Sequence, residues 1–166
     1  YRALHPLFNI INRRVNTDIA RSMLKHCEQS VHKALPIWSH MANENWCMIG
    51  YHSVSVLADA VAKGLPLDKE EVLKAMVSSS TIPYLDGTGE YMEKGYVALD
   101  HNGSAASLTL EYAYDDWTIY HTAPATVLLP IRKKNGRPII RMFLIRIWAM
   151  PVLVMPTDAG KRISTC

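Results

Sequence analysis

The feature that most constrains the fold of this sequence is the helical spacing of its apolar residues before position 120. In residues 15–28, apolar side chains recur every four positions: Val15, Ile19, Met23 and Cys27. This period predicts an amphipathic helix. A second stripe predicts a helix over residues 49–63, with Gly64 at its C-terminal stop. No strand-like alternation occurs before residue 124, so we predict an all-α fold.

The clearest helix start lies at Asp68. Its side chain can cap the helix while Glu71, three residues on, reaches back, and Leu67 can contact Val72 across the first turn. This helix is predicted to run to residues 78–80. Two further helices are predicted, the end of a buried one over residues 1–11 and a last one from near residue 104. Residues 30–46 and 84–103 are predicted to be loops, and the second is long enough to be functional.

The length of 166 residues suits one domain, but charge divides the chain in two. Residues 1–122 contain 10 Lys and Arg against 14 Asp and Glu, whereas residues 123–166 contain 8 against 1. The chain begins at Tyr1 rather than Met, so we expect the true start, with any signal peptide, to be missing. The three cysteines form no CxxC pair, which disfavours a disulfide framework or a zinc site.

A first cluster of candidate site residues spans positions 38–52. It combines the aromatic faces and directional polar groups that sugar sites require. The candidates for contact with a sugar are Asn43, Glu44, Trp46, Cys47 and His52. The alternative, given about even weight, is a helix N-terminus capped by Asn43 or Asn45, with the tryptophans in the core.

A second cluster spans positions 111–117 and contains Glu111, Asp115 and Asp116. Glu111 and Asp115 are four residues apart and so share a helix face. Carboxylates could serve acid–base chemistry, metal binding or sugar binding, but a solvated acidic face is the favoured interpretation on these residues alone. The histidines show neither HxxxH nor HExxH spacing, so we predict no metal site.

Several segments together resemble glycoside hydrolase family 92. They are RALHPLF at residues 2–8, LPIWSH..NENWCMIGYHSVSV at 35–56 and LEYAYDDW at 110–117, and the resemblance covers about residues 1–120. It implies a bacterial, calcium-dependent, inverting exo-α-mannosidase, secreted, periplasmic or on the outer surface. Residues 1–122 would then be part of an (α/α)6 toroid that binds mannose-containing glycans such as N-glycans or yeast mannan.

The resemblance also implies where the chemistry lies. The acid, the base and the Ca²⁺ ligands are expected C-terminal to Trp117, outside this chain, so no residue here is assigned as catalytic. Asn43, Glu44, Trp46, Cys47 and His52 would face the sugar. The acidic cluster of residues 111–116 would support the site or pack between helices, and the piece would be inactive without the remainder of its polypeptide.

After residue 120 the resemblance stops. When the codons of residues 139–157 are read one base earlier, they can encode the family-like segment NVFDPDMGYARPR. We therefore hypothesise a frameshift between about His121 and Pro138, which makes the basic tail of residues 123–166 an out-of-frame translation. As a membrane span, residues 139–155 are short and interrupted by Arg141, Arg146 and Pro151.

Two other functions remain open from the residues. One is a non-catalytic helical carbohydrate-binding or scaffold unit, which would have to fold alone and bind sugar through residues 43–52. The other is a nucleic-acid or membrane binder that uses the basic tail, for which binding should be sensitive to salt. The first function explains fewer residues than the mannosidase, and we predict neither nucleic acid nor membrane as a partner.

Overall fold

A computed structural model describes residues 3–123. Within that range the chain forms six helices and one very short hairpin, which confirms the all-α prediction. The helices are α1 (Leu4–Ile11), α2 (Arg13–Gln29), α3 (Ser53–Ala62), α4 (Lys69–Ser80), α5 (Thr88–Lys94) and α6 (Ala105–Thr122). The hairpin pairs β1 (Ser39–His40) with β2 (Asn43–Glu44). The predicted frameshift region and the basic tail lie outside the described residues, apart from positions 121–123.

The predicted ends of the middle helices follow from local hydrogen bonds. Asp68 caps α4 because its side chain accepts from the backbone N–H groups of Glu70 and Glu71, at 2.8 and 2.9 Å. At the end of α3, Gly64 has a φ of +71°. The N–H of Leu65 donates to the carbonyl of Ala60 there, as in a Schellman motif. Both of these predicted boundaries are confirmed.

Three predictions from the sequence are wrong in detail. Residues 84–103 are not one loop, since they contain α5, a helix of seven residues between Gly87 and Gly95, which both have positive φ. The helix predicted from residue 49 begins only at Ser53, because Gly50 has a φ of +87°. Residues 39–44 form a hairpin with strands of two residues each, inside a segment predicted to be a loop.

The fourth difference is the orientation of α1, which was predicted to be buried through its apolar residues. Its large apolar side chains are instead exposed: Leu4, Leu7, Ile10 and Ile11. The buried residues are His5 and Asn9. The amide of Asn9 donates to Asp59 of α3 at 2.7 Å, and that of Asn16 in α2 donates to Asn9 at 2.7 Å. Polar contacts therefore attach α1 to its neighbours.

The core lies between α3 and α6, which have the most extensive contact of any helix pair described. α4 and α2 complete it. Its fully buried apolar side chains include Val54, Leu57, Met76, Leu108 and Tyr112. Among residues 3–123, no helix combines the length and the apolar character needed to cross a membrane. The packing of α3 on α6 positions the candidate site described next.

Candidate functional site

The turn that leads into α3 is tied to α6 by the carboxylate of Asp115. One carboxylate oxygen accepts from the backbone N–H of Tyr51 at 2.8 Å, and the other lies 2.9 Å from Nδ1 of His52. Asp115 has no exposed surface. A Cβ added to Gly50 would lie only 2.6 Å from the His52 ring. The turn therefore needs glycine at position 50, and it places His52 directly against α6.

Glu111 lies on the other side of the His52 ring. Nε2 of His52 is 3.4 Å from a carboxylate oxygen of Glu111, and both side chains keep some exposure, 23% and 36%. Glu111 and Asp115 share a face of α6, as their spacing predicts. A doubly protonated imidazole can donate to both carboxylates, one buried and one in contact with water. Three of the candidate residues, His52, Glu111 and Asp115, are thus brought together.

Asp116 belongs to a separate contact with two tyrosines. Its carboxylate accepts from the hydroxyl of Tyr51 at 2.7 Å and from that of Tyr91, in α5, at 3.3 Å. The ring of Tyr51 stacks on that of Tyr112, with centroids 5.5 Å apart. Asp116 therefore links α5 and the start of α3 to α6. The sequence alone does not mark Tyr51 and Tyr91 as partners of Asp116, because nothing local indicates contacts between such distant residues.

Burial dominates the electrostatics of both aspartates. It raises the pKa of Asp115, although the hydrogen bond and charge of His52 and the hydrogen bond from the Tyr51 N–H oppose the rise. It also raises the pKa of Asp116 to about 7, against the opposing hydrogen bonds from Tyr51 and Tyr91. Burial, together with the charge of Asp116, raises the pKa of Tyr51 well above its usual range. Tyr51 therefore stays a hydrogen-bond donor to Asp116 at ordinary pH.

Glu44 sits in the hairpin and is 6% exposed. One of its carboxylate oxygens accepts from the backbone N–H groups of Ile37 and Trp38, the latter at 2.9 Å. The other oxygen accepts from the N–H of Trp46 at 3.1 Å. A single side chain therefore satisfies three backbone donors from both sides of the hairpin.

The other hairpin candidates have different surroundings. The side-chain oxygen of Asn43 accepts from the N–H of Val31 at 3.2 Å. Asn45 accepts from the N–H of Cys47 at 2.9 Å, and Cys47 is exposed. Neither asparagine caps a helix, because the residue that precedes α3 is His52. The capping alternative is therefore wrong.

Trp46 has a φ of +58° and is partly buried. Its ring meets that of His32 edge-on, with centroids 5.4 Å apart. Nδ1 of His32 in turn lies 2.9 Å from the hydroxyl of Tyr84. His32 and Tyr84 are not among the predicted site residues. Their aromatic rings, which are typical of sugar sites, are a signal that could have identified them.

A hydrogen bond joins the residues before the hairpin to the start of α3. The hydroxyl of Ser53, the first residue of α3, donates to the carbonyl of Pro36 at 2.6 Å. Ser53 follows His52 directly, and Pro36 precedes the residues held by Glu44. The two candidate groups are therefore connected near the N-terminal end of α3.

The described residues do not fit a calcium site. Calcium takes six to eight oxygen ligands. Among residues 3–123, no group of three or more His, Cys, Asp or Glu side chains is placed to hold a metal ion. The nearest candidates, Asp115 and Asp116, already bond to His52 and to tyrosine hydroxyls. No step of chemistry can be assigned to a metal in this part of the chain.

Comparisons with known proteins point to one family. The chain matches the glycosyl hydrolase family 92 catalytic domain over residues 1–127. It is similar to two solved structures of a family GH92 α-mannosidase from Bacteroides thetaiotaomicron, one of them in complex with mannoimidazole, at 46% identity and a TM-score of 0.70. A search of curated proteins finds no match.

The extent of these matches differs between the chains compared. They cover 87% of this chain but only 18% and 19% of the two mannosidase chains. This chain therefore spans less than a fifth of the length of the structures it resembles. Together with the six helices, the similarity confirms the predicted fold class, part of a larger helical domain.

Proposed function

This chain belongs to the glycoside hydrolase family 92 catalytic-domain family, and from that premise we propose that it is a piece of a calcium-dependent, inverting exo-α-mannosidase. The observation that carries the proposal is the 46% identity to an α-mannosidase that was solved with mannoimidazole. The substrates would be terminal α-mannosides of glycans such as N-glycans or yeast mannan. The parent enzyme would be bacterial and secreted, periplasmic or on the outer surface.

Within that enzyme, the residues around the start of α3 would form one wall of the mannose site. Asn43, Trp46, Cys47 and His52 supply an aromatic face and polar groups of the kind that bind sugar hydroxyls. Glu44 belongs to the same wall. Glu111, Asp115 and Asp116 would support it from α6, because Asp115 holds His52 and Asp116 holds Tyr51.

Inversion at the anomeric carbon needs two carboxyl groups on opposite faces of the sugar. One protonates the leaving oxygen and the other activates water, and they lie about 6.5–9.5 Å apart. Asp115 and Asp116 do not suit these roles, because each is already bonded to residues of the turn before α3. The acid, the base and the Ca²⁺ ligands would come from the remainder of the polypeptide.

A chimera tests the proposal directly. Residues 3–123 would replace the matching segment of the Bacteroides thetaiotaomicron α-mannosidase, and hydrolysis of an α-mannoside would be followed by NMR. We expect the chimera to hydrolyse the mannoside, whereas the 166-residue chain alone should be inactive.

Each part of the proposal can fail separately. In the complete polypeptide that contains this chain, release of α-mannose would contradict inversion, and full activity in chelator would contradict a role for calcium. A chimera that folds with the unmodified enzyme's melting temperature but hydrolyses no mannoside would contradict the mannosidase function. Sugar binding by the isolated, inactive chain would favour the carbohydrate-binding alternative instead.

A further inference from the structure

The segment of residues 37–46, which we call the tryptophan hairpin, contains an unusual concentration of strained backbone. Met41, Ala42 and Trp46 all have positive φ without being glycine. Such conformations cost free energy, of order 1–3 kcal/mol each in unfavourable cases, and persist only where surrounding contacts enforce them. The two-residue strands of the hairpin provide little such enforcement by themselves.

Glu44 provides the missing constraint. Its carboxylate accepts hydrogen bonds from Ile37 and Trp38 on one side of the hairpin and from Trp46 on the other. The N–H of Asn45 also donates to the carbonyl of Trp38, at 3.2 Å. Hydrogen bonds to an ionised acceptor are roughly twice as strong as neutral ones. Loss of the carboxylate would leave three amide donors without their acceptor.

Both tryptophans of the hairpin have their backbone held by this one carboxylate. The side chain of Trp38 remains 56% exposed, whereas the ring of Trp46 contacts His32 edge-on. The carboxylate of Glu44 itself is directed to the backbone and has little exposed surface. A side chain in that position is suited to orient neighbouring groups and poorly placed to bind a ligand itself.

We propose that Glu44 is a positioning residue, which holds the tryptophan hairpin so that Trp38 and Trp46 can contact the glycan. The contact of the two tryptophans with the glycan rests on the proposed function. The clamp, by which we mean the hydrogen bonds of Glu44 to the hairpin backbone, does not. Glu44 thus has an indirect role at the site, in place of direct contact with sugar hydroxyls.

Hydrogen exchange tests the clamp in the complete polypeptide that contains this chain. Glu44→Gln keeps the size of the side chain but replaces one acceptor oxygen by a donor group. We expect the amides bound to the replaced oxygen, either those of Ile37 and Trp38 or that of Trp46, to exchange at least tenfold faster in this variant, with the helices unchanged. Glu93→Gln, an exposed substitution in α5, is the matched control. Unchanged exchange at all three amides in Glu44→Gln would overturn the clamp.

A double-mutant cycle on mannoside hydrolysis tests the indirect role. We expect Glu44→Gln and Trp38→Ala each to reduce kcat/KM at least tenfold, and the double variant to be little worse than either alone. Coupling of this kind is expected when one residue acts through the other. Losses that multiply would instead indicate that Glu44 contacts the sugar independently, and would overturn the inference.

The two tests separate the inference from the function on which it depends. If the complete polypeptide hydrolyses no mannoside, the proposed function fails, and the exchange experiment still decides whether Glu44 holds the hairpin. If Glu44→Gln frees the amides but leaves kcat/KM unchanged, the clamp stands and its role toward the glycan is refuted.

Discussion

Asp115 and Asp116 are adjacent in the sequence but hold different elements. Asp115 bonds to the turn before α3 through Tyr51 N–H and His52, whereas Asp116 bonds to the hydroxyls of Tyr51 and Tyr91. Adjacent residues on a helix point about 100° apart, so one pair can reach two neighbours. Because buried carboxylates are costly when charged, both aspartates also make stability depend on pH.

We expect the ionisation of Asp116 to lower the free energy of unfolding as pH rises. Its pKa is about 7 in the folded chain against an ordinary 3.8, so the folded state retains a proton that the unfolded state has lost. The stabilising effect is complete below about pH 4 and is lost as pH rises through 7. In Asp116→Asn this dependence should disappear, a relative change on the order of a few kcal/mol.

Urea denaturation at pH 4.5, 6 and 8 measures this difference. Asp115 titrates in both proteins, so only the difference between them reports on Asp116. We expect the wild type to lose stability relative to Asp116→Asn between pH 4.5 and 8. A difference that does not vary with pH would show that Asp116 titrates near its ordinary value in the folded protein.

Gly50→Ala should destabilise the turn before α3. The added Cβ would meet the His52 ring at 2.6 Å, and the φ of +87° is itself unfavourable for alanine. We expect the free energy of unfolding to fall by roughly 2–4 kcal/mol. Gly64→Ala is the control for strain alone, because that glycine also has positive φ but has no atom within 4 Å of the added Cβ. Equal losses at both positions, by thermal denaturation, would rule out the clash.

At the scale of elements, α4 shows how a helix end can be read from the sequence. The Asp68 side chain accepts from two N–H groups of the first turn, and Glu70 and Glu71 add negative charge there. Asp68→Ala should lower the free energy of unfolding by about 1 kcal/mol. Asp68→Asn keeps an acceptor and should lower the free energy of unfolding by less. Chemical denaturation of the two variants compares them, and an equal loss would attribute the effect to charge.

α5 is the opposite case, a helix that the sequence pattern does not predict. Its seven residues are too few to show an apolar period. Its backbone also packs closely, since a Cβ added to Gly89 would lie 2.5 Å from the carbonyl oxygen of Pro83. Isolated helices of this length are unstable in water. Contacts with the rest of the chain stabilise it, including that of Tyr91 with Asp116 and the hydrogen bond from Ala98 N–H to Glu90.

Over residues 3–123 as a whole, helix α1 leaves an apolar face exposed. Leu4, Leu7, Ile10 and Ile11 are all exposed. We expect the isolated chain to self-associate and to bind a hydrophobic dye, because contiguous apolar patches do so. Leu7→Gln with Ile10→Gln should reduce both effects, by light scattering and dye fluorescence. Val31→Gln, also at an exposed position, is the control, and an equal reduction there would contradict a role for α1.

The basic tail of residues 123–166 leads to a prediction about the encoding gene. If residues 123–166 are an out-of-frame translation, sequencing the encoding DNA should reveal a one-base insertion or deletion near codons 121–138. The restored frame should then continue with a segment like NVFDPDMGYARPR. An uninterrupted frame in repeated sequencing would refute the frameshift and make the eight basic residues of the tail a genuine part of the protein.

Local sequence patterns were enough to predict the helical class, most of α2, α4 and α6, the Asp68 cap and the stop at Gly64. These features depend on hydrogen bonds and apolar spacing within a few residues, so a local pattern specifies them. The sequence also identified the acidic residues of α6 and the polar residues before α3 as candidates, although not how they are joined.

Which residues meet at the site depends on packing between distant parts of the chain. The contacts of Asp115 and Asp116 with Tyr51 and His52 join residues 63 to 65 positions apart. That packing also decides that Glu44 binds backbone N–H groups and that α1 directs His5 and Asn9 inward. The physical reason is that a buried polar group must find a partner wherever packing brings one, and packing between distant segments leaves no periodic trace in the sequence.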